Sequence, residues 1–369
     1  MAIFFSLILV GSLSTVVFAN STSWNKEYPS LEGRGRSIIK TEDGGYAIAG
    51  ESEGHFLLLK INSFGELQWF KKYEVGSAYS IVQTSEGGYV LAGSGSIYNF
   101  FKTDSSGNIQ WNWTYPHLLR SLTTTSDGGY ALVGHHGSLN IAESALIVKT
   151  DENGNKQWDK FYGNGMSYFL SIVEANEGGF AITGVINQQG LLIKTDYNGN
   201  ILWNKTYSET RCLIKTKDGG YMLAQSGGSL TKTDSLGELQ WSNIYGGESI
   251  SKRFSSVVQS LDDGFVAVGI TYPVYEGIAW IVKTNESGDL QGENLIEPIE
   301  GINNFATSIV EANDGSYVFT GSKDSGNVWV VKISQEVIPE FPSWIILPLF
   351  IVATLVVIVT RNKIGKKGD

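Results

Sequence analysis

One unit recurs seven times along this chain, and that repetition leaves few folds open. Its first marker is an acidic-Gly-Gly-aromatic turn running into an apolar stretch. The copies are Asp43-Gly44-Gly45-Tyr46, Glu86-Gly87-Gly88-Tyr89, Asp127-Gly128-Gly129-Tyr130, Glu177-Gly178-Gly179-Phe180 and Asp218-Gly219-Gly220-Tyr221. Two looser copies follow, Asp262-Asp263-Gly264-Phe265 and Asp314-Gly315-Ser316-Tyr317. The aromatic residues stand 43, 41, 50, 41, 44 and 52 residues apart. A second marker follows each, of the form Leu-x-Lys-Thr-Asp-x-x-Gly-Asn-x-x-Trp, clearest at Asp151 to Trp158 and Asp196 to Trp203. A repeat of this length is one supersecondary unit that buries its apolar face only against neighbouring copies.

Each unit reads as four short strands. Strand a precedes the Gly-Gly turn (Ser80 to Gln83) and strand b follows it (Tyr89 to Ala92). Strand c carries a Lys (Ala145 to Lys149), and strand d carries the Trp. Alternating and β-branched residues bounded by Gly and Asp turns favour strands over helices. Four strands every 40–50 residues is the pattern of a β-propeller blade, so the expected class is all-β. The seventh unit stops after its strand c, Trp329 to Lys332. The orphan Trp24-Asn25-Lys26-Glu27-Tyr28 matches a strand d such as Trp203-Asn204-Lys205-Thr206-Tyr207. A seven-bladed β-propeller over residues 20–334, closed by its N-terminal strand, is therefore expected, because closure hides the sheet edges of an open array. An open solenoid is the alternative.

The Asp-x-x-x-Gly-x-x-x-Trp flavour of the second marker resembles the tryptophan-docking repeat of quinoprotein-like propellers over residues 24–334. The resemblance implies that Trp24, Trp69, Trp111, Trp158, Trp203 and Trp241 pack between neighbouring blades. Gly292 replaces the Trp in the sixth unit.

The two ends give the chain an address. Residues 3–18 are apolar, and Val17-Phe18-Ala19 offers small residues at a cleavage site, so 1–19 reads as a secretory signal peptide. It lacks a basic n-region, so an uncleaved anchor is the alternative. Phe341 to Thr360 carries no charge, and a helix over 343–360 would cross a bilayer. Arg361, Lys363, Lys366 and Lys367 follow in a basic tail, 361–369, that the positive-inside rule keeps cytoplasmic. The expected location is the cell surface, with an extracellular propeller held in the cytoplasmic membrane by its C-terminal helix. Outside that tail the chain has 36 acidic and 23 basic residues, so nucleic acid is not an expected partner. A single Cys excludes an internal disulfide framework and a Cys-based metal centre.

In the short linker 335–342, Pro339-Glu340-Phe341-Pro342 precedes the span and the basic tail. Together they resemble the PEF-type C-terminal sorting segment of archaeal surface proteins. The resemblance implies an archaeal surface protein and a candidate substrate for an archaeosortase. The usual Thr/Pro-rich stalk is missing.

Several residues invite chemistry. Asp104, Asp151, Asp196 and Asp234 look like calcium ligands, but each suffices to hold its own turn, with Gly supplying positive φ. The strand-c Lys recurs in every unit (Lys60, Lys102, Lys149, Lys194, Lys232, Lys283, Lys332), which suits packing or ion pairing better than catalysis. Cys212 stands where six units have Ser (Ser37, Ser80, Ser121, Ser171, Ser256, Ser308), as a small buried substitute. No catalytic residue, cofactor or metal site is expected. If strand a starts at the upper end, the a–b and c–d turns lie below and are nearly uniform. The b–c and d–a loops lie above and vary, which is where recognition usually lives. His55, His117, His135 and His136 all fall in these upper loops.

Five of the six arginines precede a strand a: Arg34, Arg36, Arg120, Arg211 and Arg253. Arg36, Arg120 and Arg211 share one repeat position, directly before the Ser or Cys. Guanidinium groups suit bidentate binding of carboxylate or phosphate. Arg36, Arg120, Arg211 and Arg253, with His55, His135 and His136, are the candidate ligand-binding residues; salt bridges that fix each crossover are the structural alternative. N-glycosylation sequons stand at Asn20, Asn112, Asn204 and Asn285.

The leading expectation is a non-enzymatic binding or adhesion module for a glycan, an anionic polymer or a surface protein. An extracellular carbohydrate-active enzyme or quinoprotein-like oxidoreductase is the second. A structural envelope component is the third.

Overall fold

The computed structural model describes residues 22–334, apart from 139–140, 248–250, 273–276 and 297–302. Every regular element among them is a β-strand, and every pairing is antiparallel. No helix of the described residues is long and apolar enough to cross a membrane. The expected signal peptide, Asn20, the sorting motif, the spanning segment and the basic tail lie outside the described residues.

The strands group in fours, as the repeat requires. The fourth unit, for example, uses Tyr168–Glu174, Phe180–Ile186, Gln189–Thr195 and Ile201–Thr206, hydrogen-bonded in chain order. Two long strands, Thr22–Lys40 and Leu67–Gln83, each serve two units. The second half of Thr22–Lys40 pairs with Tyr46–Ser52, as strand a of the first unit. Its first half pairs with Asn327–Ile333, placing Trp24 opposite Lys332 and Tyr28 opposite Val328. These shared strands join three of the four-stranded groups into one ten-stranded sheet.

Packing follows the same period. Strands b and c are buried almost throughout, because both faces of each four-stranded sheet are covered by neighbours. Seven apolar clusters result, each built from two consecutive units. One of them joins Val318, Val328 and Val330 of the seventh unit to Ile38, Tyr46 and Ile48 of the first.

Three devices repeat along the chain, two that lock unit to unit and one that ties each unit to itself. On strand d, the Trp ring lies over the Gly of the next unit's c–d turn, as Trp24 does over Gly65 and Trp203 over Gly237. Those turn glycines have φ between 74° and 81°, and a Cβ there would meet the indole within 3.0 Å. Four residues beyond the Trp, a Tyr hydroxyl donates to the same glycine's carbonyl: Tyr28 to Gly65 at 2.9 Å, Tyr73 to Gly107 at 2.8 Å, Tyr245 to Gly288 at 2.7 Å. The sixth unit has Gly292 instead of Trp for a reason of topology. Its neighbour, the seventh, takes its fourth strand from the N-terminus and so has no c–d turn to receive an indole.

The second device is the repeated Ser of strand a. Its Oγ accepts the backbone N–H of the next unit's strand a: Ser80 from Leu122, Ser171 from Leu213, Ser256 from Ile309 and Ser308 from Ile38, at 3.1 to 3.3 Å. Cys212 takes the Ser place and its Sγ lies 4.0 Å from Ser256 Oγ. Burial pushes that thiol's pKa up, which suppresses the nucleophilic thiolate.

The third device is the strand-c Lys. Six of the seven reach the acid of their own a–b turn: Lys60–Asp43, Lys102–Glu86, Lys149–Asp127, Lys232–Asp218, Lys283–Asp262 and Lys332–Asp314, at 2.6 to 3.0 Å. Lys194 instead donates to the carbonyls of Gly178 and Thr195. Asp43, Asp127 and Asp314 are held at a pKa of about 2. Their partial burial alone would raise it, and hydrogen bonds from the Lys, a hydroxyl and a backbone N–H outweigh that. The c–d turns hold themselves. Asp104 accepts the N–H groups of Ser106 and Asn108, and Asp151 those of Asn153 and Asn155.

Candidate functional site

Every strand a carries a β-bulge at one and the same repeat position. The register slips between Gly35 and Ser37, Ala78 and Ser80, Leu119 and Ser121, Phe169 and Ser171, Thr210 and Cys212, Phe254 and Ser256, and Ala306 and Ser308. The residue passed over in each is Arg36, Tyr79, Arg120, Leu170, Arg211, Ser255 or Thr307. A bulged residue has no partner in the ladder, so its side chain is re-aimed out of the alternation that governs its neighbours. All seven line one cavity of about 320 Å³ at the upper end of the inner strands. Arg34, Arg253 and Phe305 line it too. These three share a second repeat position, three residues before the Ser.

The cavity thus gathers five guanidinium groups from four units. Arg34 Nε lies 2.9 Å and Arg36 Nη2 3.3 Å from the Glu51 carboxylate. Arg211 Nη2 lies 3.3 Å from Glu209. Among the described residues, Arg120 and Arg253 have no carboxylate within 4.0 Å. Among the described residues, five positive charges against the two paired carboxylates leave the mouth with an excess of three. Tyr79 sits between the first and third units' arginines, its ring centre 4.7 Å from the Arg36 guanidinium and 4.8 Å from that of Arg120. Cation–π contact of this kind holds two like charges close together. The cost is visible at Arg120, whose pKa falls below the usual arginine value through burial and then through the charges of Arg36 and Arg211. Glu51 responds the other way. Its burial, acting upward, is overcome by the charges of Arg36 and Arg34, and its pKa is lowered. The Nε groups of Arg36 and Arg120 are buried and meet no acceptor. Two unpaired donors beside a polar cavity call for an acceptor that the described residues do not supply.

Of the sequence-derived candidates, Arg36, Arg120, Arg211 and Arg253 come together here, and the histidines do not. His55 opens a strand c at the exposed rim, its Nδ1 3.0 Å from the Glu53 carbonyl. His135 and His136 lie on strand b, Tyr130–Ser138, and not in a loop. His135 is buried with its ring beside Tyr168, which corrects its expected place in an upper loop. His136 pairs with His117, Nδ1 to Nδ1 at 3.1 Å, and both rings meet Phe161. Burial and His136 lower the pKa of His117.

Tyr79 and Arg34 are the residues that sequence reasoning missed. Both were within its reach. Tyr79 occupies the repeat position of the three aligned arginines, and Arg34 that of Arg253.

Of the sequons, Asn112 and Asn204 are exposed on strands d. Asn285 is occupied by its turn, accepting the Asp289 N–H at 2.8 Å and donating to the Asp289 carboxylate.

No family model matches the chain, and no curated protein does. Solved structures do. The chain is similar to BamB from Moraxella catarrhalis at 11% identity and a TM-score of 0.52, over 81% of this chain and 84% of that one. Against virginiamycin B lyase from Staphylococcus aureus the figures are 12% and 0.63, over 84% and 98%. Against U3-55K they are 10% and 0.61, over 86% and 100%. The fold is of the β-propeller type. At these identities the likeness is one of fold alone.

Proposed function

We propose that this chain is a seven-bladed β-propeller at the cell surface that binds an anionic ligand at the arginine-lined mouth of its central channel. One observation carries the reading: five arginines, separated along the chain by 2, 84, 91 and 42 residues, line a single cavity with a net positive excess. A purely structural role would pair each guanidinium with a carboxylate, and among the described residues Arg120 and Arg253 have none within 4.0 Å. Ring closure by Trp24 to Tyr28 is supported by their pairing with Asn327–Ile333 and by the Ser308 to Ile38 hydrogen bond. The blade count is supported by the seven bulges around one cavity.

Anchoring remains part of the proposal. The last strand c ends at Ile333 beside Tyr317, at the lower end. Six residues, 335–340, then precede the apolar stretch Phe341 to Thr360, at most roughly 20 Å of extended chain. That is too little to turn the body over, so the uniform turns face the membrane and the arginine mouth faces outward. In intact cells a label at Asn187, on an upper loop, should then be farther from the bilayer than one at Asn153. Glycans at Asn112 and Asn204, on the exposed outer strands, are compatible with this arrangement. Processing of the Pro339–Pro342 segment by an archaeosortase is an optional later step.

The experiment is a glycan-array comparison of the protein with its Arg36→Ala/Arg120→Ala/Arg211→Ala variant. Anionic glycans should be bound over neutral ones, and the variant should lose them by about 100-fold while keeping its melting temperature. Equal binding by both proteins would remove the mouth as the site.

A further inference from the structure

The mouth already holds two carboxylates of its own, and that narrows what it takes from outside. Glu51 occupies one side of Arg34 and Arg36, and Glu209 occupies one side of Arg211. The donors left over are arranged differently. Arg36 and Arg120 stand on units flanking that of Tyr79, and each keeps a buried Nε without an acceptor. Arg211 belongs to the same bulge ring and contributes to the lowered pKa of Arg120. Three guanidinium groups from three units therefore converge on one volume. A carboxylate presents two oxygens in one plane and is best matched by a single planar fork. A phosphate or sulfate ester presents three terminal oxygens pointing in three directions.

Charge points the same way. The body is acidic, with 36 acidic against 23 basic residues outside the tail, whereas the mouth gathers five arginines. A long polyanion lying across such a surface would be repelled along most of its length. A single charged end-group entering the cavity would meet the arginines without crossing the acidic surface. A volume of about 320 Å³ admits a group of that size with part of one sugar ring. The small hydroxyls of Ser255 and Thr307 and the apolar side chain of Leu170 line the same ring.

Resting on the anion-binding reading, we propose that the mouth is specific for a tetrahedral oxyanion, a terminal phosphate or sulfate ester or the free ion. We further assign Tyr79 as the positioning residue that holds Arg36 and Arg120 for it. Tyr79 acts through its ring face, so its hydroxyl is dispensable.

Isothermal titration of the full chain in detergent with glucose 6-phosphate, glucose 6-sulfate, inorganic phosphate, glucuronate and glucose tests this. Both esters should bind at least 10-fold more tightly than glucuronate, and glucose should not bind. Inorganic phosphate matching the phosphate ester would name the free ion as the ligand; weaker binding would name the ester. Tyr79→Phe should bind as the parent does, and Tyr79→Leu should bind about 10-fold more weakly, with an unchanged melting transition showing the fold intact. Glucuronate binding as tightly as the esters would overturn the tetrahedral preference and leave the anion-binding reading standing. No binding of any anion would overturn both. Equal affinity of Tyr79→Leu and the parent would overturn the role of Tyr79. If Tyr79→Leu fails to fold, Tyr79→Trp serves instead, because it keeps a ring face and should retain affinity.

Discussion

The lower turns and the upper mouth are built from the same seven repeats, and they use repetition in opposite ways. Below, an acid, a Gly and a buried Lys recur with little change, and six of the seven copies make the same Lys–acid bond. Above, the bulge recurs in every unit but its residue is Arg, Tyr, Arg, Leu, Arg, Ser or Thr. Backbone geometry is thus held constant where side-chain identity is released. Positions that repeat in kind carry stability. Positions that repeat only in placement are free to build one asymmetric site from seven equivalent starting points.

The largest expected effect breaks the repeated part at its seam. Deleting residues 20–29 removes Trp24 and Tyr28 and leaves Asn327–Ile333 as an unpaired edge. The melting temperature should fall by roughly 10 °C or more, as a loss of several kcal/mol implies. An unchanged thermal transition would mean that the N-terminal strand does not hold the ring.

A smaller effect separates the two regions directly. Lys149 is buried against Asp127, Thr150 and Gln157. Lys149→Ala should cost about 2 kcal/mol, below the range for a fully buried pair because Asp127 is half exposed. Arg120→Ala, in the mouth, should cost about 0.5 kcal/mol or less, because it removes a partly buried charge with no carboxylate partner among the described residues. Denaturant unfolding of both variants checks the pair. Equal losses would erase the distinction between holding and binding positions.

The smallest effect is in pH. Asp43, Asp127 and Asp314 titrate at about 2 in the folded chain, below the unfolded aspartate value of about 3.9. The sign follows: an acid with a depressed folded pKa binds its proton more readily when unfolded. Its stabilisation is therefore fully present above about pH 4 and is lost as the pH falls toward 2. The melting temperature should be flat from pH 7 to 5 and drop between 4 and 2, less steeply in Lys149→Ala. A drop confined to pH 5–7 would instead implicate histidine.

Much of the repeated part was legible in the sequence because it is written in side-chain types. The Gly-Gly turn announces itself five times, the Lys of strand c seven times and the Trp of strand d six times. The partner of each Lys was not legible, since Lys149 and Asp127 are 22 residues apart and only strand topology brings them together. The Tyr hydroxyls were likewise hidden, because their acceptors lie in another unit. The bulge left no mark at all: it is a slip of backbone register, compatible with Arg, Leu or Thr alike. Hence three arginines could be aligned from sequence while Tyr79, at the same position, passed unnoticed. The histidines misled for a related reason. His135 and His136 sit near a loop in sequence, but strand b runs on to Ser138 and carries one ring inward.

The account stands most directly on where an anion goes. Crystals soaked in tungstate, a tetrahedral anion with a strong anomalous signal, would locate it without reference to any biological ligand. The prediction is one dominant anomalous peak in the mouth, within contact of Arg36, Arg120 and Arg211, and absent when those three are changed to Ala. A dominant peak among the lower turns beside the strand-c lysines, or no peak in the mouth, would contradict it.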